Sequence, residues 1–205
     1  MTSRGGRTIG LDFDNTIVSY EKVYRCLVDK HGAEIVPGQS SKNMLRDHFH
    51  RKGEADIFTR IQGEVYGPGL AGAEAYPGFS SCLEQLTADG WKVVVISHRT
   101  KNPLAGPAHD LHQAGRQFLE SFGWLGQKIR EAYFEETKEA KLARIAHCGC
   151  NFFVDDLSEI LAHPAFPKDC QPLLFDPSGD PGKGAPPRRV RHWKELPALL
   201  KRGVQ

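Results

Sequence analysis

The 205-residue chain has 40% hydrophobic and 25% charged positions, the balance of an ordinary globular domain and not of a disordered or collagen-like chain. Its 27 basic and 25 acidic residues leave a formal charge of +2, too weak a field to attract a long polyanion or an anionic membrane. No apolar run approaches the roughly 20 residues of a spanning helix. The five cysteines are an odd count, unlike a disulfide framework, and the polar start from Met1 to Arg7 leads directly into Ile9 to Phe13 without a signal sequence, so a cytoplasmic protein with reduced thiols is expected.

In chain order, Thr8 to Phe13 reads as a short buried strand. Tyr20 to Asp29 and Lys42 to Tyr66 carry apolar residues at mixed three and four spacings and are predicted helical. Gly67 to Pro77, rich in Gly, Ala and Pro, reads as a linker between subdomains. Phe79 to Ala88 suits a helix stopped by Asp89-Gly90, and the β-branched run from Trp91 to Ser97 suits a buried parallel strand. A Pro/Gly loop over Asn102 to Pro107, a helix over His109 to Phe122 and a strand over Ala132 to Glu135 follow. Thr137 is placed to cap a helix over Lys138 to His147. Asn151 to Val154 and Pro172 to Phe175 read as strands, Ser178 to Arg189 as a mobile loop, and His192 to Lys201 as a closing helix. This alternation predicts the α/β class, a three-layer doubly wound parallel sheet whose ligands gather at the carboxyl ends of strands.

Chemistry is therefore sought just after each strand. Asp12 and Asp14 can serve one site only if the chain leaves extended geometry after Asp12, which Asn15-Thr16 permits. One carboxylate would then be a nucleophile and the other an acid/base, with a divalent cation such as Mg²⁺ relieving their repulsion. A plain turn or cap pair is the competing reading. Asp155-Asp156 follows a second strand and adds oxygen ligands, and Ser97 ends a third with a hydroxyl for a phosphoryl oxygen. Lys138 opens a helix from which its ammonium could reach the strand ends, and Lys141, one turn later, competes for that role. Ser97-His98-Arg99-Thr100-Lys101 reads as substrate-facing, against an ordinary basic loop. His109 and His112 lack a cysteine pair, so zinc is not expected, and Cys148 and Cys150 suit core packing. The basic run from Arg188 to Lys194 reads as a solvated approach to the closing helix.

Asp12-Phe13-Asp14-Asn15-Thr16, Ser97, Lys138 and Asp155-Asp156, each beside a strand end, together resemble the four motifs of the haloacid dehalogenase superfamily over residues 8 to 200. The resemblance implies that Asp12 forms an aspartyl-phosphate and that Asp14 is the acid/base. It places Thr16, Ser97, His98 and Lys138 around the phosphoryl group. Mg²⁺ would be held by the Asp12 side chain, the Asp14 backbone carbonyl and Asp156, with Asp155 beside it. An acid at the second position belongs to the family's phosphatases and phosphotransferases and not to its dehalogenases. The roughly 80 residues between Thr16 and Ser97 imply an inserted helical cap, residues 20–75, on a core of 1–19 and 76–205. Tyr20, Arg25, Lys42 and Gln62 are cap candidates for contact with substrate, and Arg46, Arg60 and Tyr66 are retained with Arg99 as its binding residues. The implied function is a Mg²⁺-dependent phosphomonoesterase for a small soluble phosphate, a nucleoside monophosphate or a sugar phosphate. Neither membrane nor nucleic acid is an expected partner, and the oligomeric state is open. The alternatives are a phosphotransferase or mutase of the same superfamily and a phosphatase for nucleic-acid ends.

Overall fold

The structure is a computed structural model that describes residues 6–179 and 188–202. Strand β1 (Thr8–Leu11) is followed by β2 (Val18–Ser19), helices α1 (Glu21–His31), α2 (Ser41–Arg51) and α3 (Ala55–Tyr66), a 3₁₀ turn over Pro68–Gly72, and β3 (Glu74–Ala75). Helices and strands then alternate as α4 (Phe79–Ala88), β4 (Lys92–His98), α5 (Leu111–Ser121), β5 (Ile129–Glu135), α6 (Lys138–His147), β6 (Phe152–Asp155), α7 (Ser158–Leu161) and β7 (Gln171–Phe175). The short strand β8 (Arg189–Val190) and helix α8 (Leu196–Arg202) close the chain.

Six strands form one parallel sheet in the order β5-β4-β1-β6-β7-β8. Side chains alternate across such a sheet, and the buried clusters divide by that period. Val93, Val95, Phe152, Val154, Leu173 and Phe175 pack on one face with residues of α4, α5 and α8. Val94, Ile96, Phe153 and Leu174 pack on the other with Leu142 and Ile145 of α6 and Ile160 and Leu161 of α7. The expected three-layer α/β architecture is the observed one.

The helical excursion α1 to α3 leaves and returns through an antiparallel ladder in which Val18 pairs with Ala75 and Ser19 with Glu74. Ser40 caps α2 by accepting from the Asn43 amide. Tyr24, Val28, Met44, Leu45, Phe49 and Phe58 from this excursion are buried in the same cluster as the sheet's first face.

Several elements differ from expectation for local reasons. The predicted helix from Lys42 to Tyr66 is broken around Gly53, which sits at φ +73°. Gly67 to Pro77 is not featureless, since it holds the 3₁₀ turn and β3. Strand β5 starts three residues early because it is an edge strand, where the charged Arg130 and Glu131 reach water. The closing helix divides into a 3₁₀ turn at Trp193–Glu195 and α8, whose second residue is Pro197, tolerated in a first turn where no N–H partner is needed. Of the loop predicted over Ser178 to Arg189, residues 180–187 lie outside the described residues, and Arg189 belongs to β8. Among the described residues no helix is long and apolar enough to cross a membrane.

Candidate active site

Strand β1 lies between β4 and β6, with Leu11 in register with both Val95 and Val154, so the carboxyl ends of three neighbouring strands converge. The extended geometry ends at Leu11, two residues earlier than predicted. The Asp12 amide still donates to the Val154 carbonyl at 2.8 Å, after which the Ile17 and Val18 amides fold back onto the Phe13 carbonyl. Asn15 makes the turn at φ +58°, a left-handed conformation that asparagine tolerates better than most residues. The turn brings Asp12 and Asp14 to one site.

Asp12 is buried, and its Oδ1 accepts from the Lys141 ammonium at 2.7 Å and the Ser97 hydroxyl at 2.9 Å. Lys141 also donates to Asp155 Oδ2 at 2.6 Å, while Asp155 Oδ1 accepts from the Leu157 amide at 2.9 Å. Thr16 donates to Asp156 Oδ1 at 3.4 Å. Burial pushes the Asp12 carboxyl up to about 7, with Asp155 and Asp14 adding to the rise and Lys141 opposing it. Burial works against the Lys141 charge, but Asp12 and Asp155 overcome it and hold the ammonium above the ordinary lysine range.

Carboxylate oxygens of Asp12, Asp155 and Asp156 lie within 4.8 Å of one another, the one such group of potential metal ligands among the described residues. Three hard oxygen donors, two of them sharing the Lys141 ammonium, are a set that suits Mg²⁺.

Asp14 belongs to a second network. Its Oδ1 accepts from Arg99 Nη1 at 2.5 Å and from the Tyr20 hydroxyl. Arg99 is 5% exposed; its Nε donates to the Leu111 carbonyl at 3.0 Å and its Nη2 to the Tyr66 carbonyl. Burial first, then Asp14, raises Tyr20 well above the usual phenol range, so it remains a donor.

The structure thus gathers Asp12, Asp14, Thr16, Ser97, Asp155 and Asp156, and it corrects the lysine. Lys138 projects from the first turn of α6 to Glu159 at 2.6 Å and is half-buried, whereas Lys141 lies on the buried stripe with Leu142 and Ile145. His98 is also misplaced by the motif reading: its ring is exposed and meets the Glu136 carbonyl at 3.2 Å, because alternation along β4 turns it away from Ser97. Arg46 and Arg60 are exposed and paired with Asp47 and Asp56 of their own helices, outside this cluster. Tyr66 packs edge-on to Tyr20 with ring centroids 4.9 Å apart and accepts from Lys42 at 2.8 Å. His109 pairs with Glu64, and His112 meets the Arg99 carbonyl. What the sequence reading missed is the Arg99–Asp14 pair; its signal was the two-residue spacing from Ser97, which returns Arg99 to the same side of the chain.

The fold is that of the haloacid dehalogenase superfamily. A hydrolase of that superfamily, subfamily IA variant 1, from Geobacter sulfurreducens PCA is 16% identical with a TM-score of 0.61, covering 98% of this chain and 100% of its own. A predicted phosphoglycolate phosphatase from Haemophilus somnus 129PT is 15% identical with a TM-score of 0.61, over 95% of this chain and 98% of its own. An L-2-haloacid dehalogenase from Xanthobacter autotrophicus, solved with chloropropionic acid covalently bound, is 13% identical with a TM-score of 0.60, over 97% and 99%. No protein-family model and no curated protein matches the chain.

Proposed function

We propose that the protein is a phosphomonoesterase that uses Mg²⁺ and an aspartyl-phosphate on Asp12 to hydrolyse a small soluble phosphoester, a nucleoside monophosphate or a sugar phosphate. One observation carries this reading: a buried carboxylate, Asp12, shares its strand-end turn with a second carboxylate, Asp14, that is bonded by a different set of partners. Halide departs from a haloacid without a proton, whereas phosphate-ester cleavage needs a proton donor for the departing oxygen.

In the first step an Asp12 carboxylate oxygen attacks phosphorus, the bond from phosphorus to the ester oxygen breaks, and Asp14 gives its proton to that oxygen. In the second step Asp14 takes a proton from water, the water oxygen attacks phosphorus, and the bond to Asp12 breaks to release inorganic phosphate. Lys141 and Ser97, both already on Asp12, stabilise the charge on the equatorial phosphoryl oxygens. The ligands for the metal would be the Asp12 and Asp156 side chains and the Asp14 backbone carbonyl, with Asp155 as a further oxygen donor. When bound, Mg²⁺ would neutralise phosphoryl charge. Residues 20–75 act as a cap on the core of 1–19 and 76–205, excluding water and restricting the site to small substrates. The protein works in the cytoplasm, where its five free thiols stay reduced.

The test is release of inorganic phosphate from a panel of nucleotides, sugar phosphates and other small phosphoesters, with Mg²⁺ or EDTA, and with D12N as control. Selective release that needs Mg²⁺ and is lost in D12N is expected. Halide release from 2-haloacids in place of phosphate release would overturn the assignment, and isomerised product without free phosphate would move it to phosphotransfer.

A further inference from the structure

Resting on that reading of Asp14 as the proton donor, we infer that Arg99 and Tyr20 are positioning residues that aim Asp14 at the leaving oxygen from the two junctions between the helical excursion and the sheet. Both donors fall on the same carboxylate oxygen, Oδ1, which leaves Oδ2 to carry the exchanged proton. The guanidinium is itself fixed on every side. It donates to the carbonyl of Leu111, the first residue of α5, and to that of Tyr66, the last residue of α3. It lies 5.5 Å from the Phe13 ring centroid and 5.6 Å from that of Tyr66. Its Nη1 also meets the Tyr20 hydroxyl at 3.2 Å.

Tyr20 immediately precedes α1 and Tyr66 ends α3, so Asp14 is tied to both the exit and the return of the excursion. A side chain this enclosed, with every donor nitrogen engaged, is arranged to orient a neighbour and not to receive a substrate. A planar fork is required for this, since Nε, Nη1 and Nη2 each serve a different partner, and lysine offers no such geometry. The proton donor is then in line only when both ends of the excursion are seated on the sheet.

Proton donation matters in proportion to the basicity of the leaving group, which separates positioning of Asp14 from a structural role. The measurement is kcat/KM for wild type, R99K, Y20F and the benchmark D14N on two esters. One is an alkyl phosphate turned over by the wild type. The other is 2,4-dinitrophenyl phosphate, whose phenolate departs without a proton. This quantity reports the first phosphoryl transfer, before water attacks. General acid catalysis contributes about 10² to 10⁴-fold, so the ratio of alkyl to aryl activity is expected to fall at least about 10-fold in R99K and Y20F and further in D14N.

Equal losses on the two esters, or no loss, in R99K and Y20F beside a selective loss in D14N would overturn the positioning roles and leave the phosphatase reading intact. Equal losses in D14N itself would overturn the reading of Asp14, and the inference with it. If R99K fails to fold, Y20F decides, because it removes a single hydroxyl and keeps the ring against Tyr66.

Discussion

At the scale of single residues, the site depends on which lysine reaches Asp12. Lys138 and Lys141 are three apart and share a helix face by spacing, so periodicity alone cannot choose between them. The choice is made by where α6 begins. With Thr137 as the N-cap, accepting from the Ala140 amide, Lys138 lies in the first turn and reaches Glu159, while Lys141 sits one turn further in, within reach of Asp12 and Asp155. Replacing Lys141 by methionine leaves two buried carboxylates without their shared ammonium. Urea unfolding of K141M is expected to show a loss of about 3–5 kcal/mol. Its phosphate release is expected to fall at least about 10²-fold, the cost of removing one preorganised electrostatic donor. K138M, which removes an exposed pair, is expected to cost at most about 1 kcal/mol and to keep its activity. The reverse ranking would return the role to Lys138. The carboxylates were legible because acids after apolar strands stand out in one dimension. Arg99 was legible as a cation after a strand, but its burial and its pairing with Asp14 come from α3 and Tyr20, which are distant in sequence.

At the scale of elements, the meeting of α5 with β5 sets the wall behind the catalytic turn. A Cβ on Gly115 of α5 would stand 2.5 Å from Cζ of Phe134 on β5, and Phe134 packs edge-on to Phe13 with centroids 5.5 Å apart. Helix propensity alone makes G115A stabilising by about 1 kcal/mol. The packing reverses the sign, because Phe134 is held by Phe13 and stacked on His112 and cannot retreat without moving the residue between Asp12 and Asp14. G115A is expected to lose about 1–3 kcal/mol in urea unfolding, the usual penalty of overpacking. Unchanged or increased stability would show that the wall yields. The same pairing shows where element reading from sequence runs out. The apolar runs of β4 and β6 were readable because both faces of a central strand are buried, whereas the second and third residues of β5, Arg130 and Glu131, carry charges that an edge position explains.

At the scale of the molecule, the order of helices and strands over residues 79–175 was legible except for the four-residue helix α7, which is too short to show a period, because each longer element carries its own period and its own stop signal. A closing C-terminal helix was legible too, but not where its first residues dock. Trp193 is fully buried between Phe79 and Phe175, with ring centroids 4.9 and 5.0 Å away, and its indole N–H donates to the Thr16 carbonyl at 3.3 Å. The end of the chain thereby pins the turn that carries Asp12 and Asp14, a contact across 177 residues that no local pattern announces. The excursion between β2 and β3 is anchored to that same turn through Tyr20, Asp14 and Arg99, so core, excursion and C-terminal segment all converge on one loop. The central claim is that Asp12 becomes phosphorylated there. It is tested most directly by mixing the D14N variant with Mg²⁺ and a dinitrophenyl phosphate, quenching in acid within one turnover and mapping the modified peptide by mass spectrometry. One phosphoryl group on Asp12 is the expected result, and dinitrophenol release with no phosphoryl group on Asp12 would contradict it.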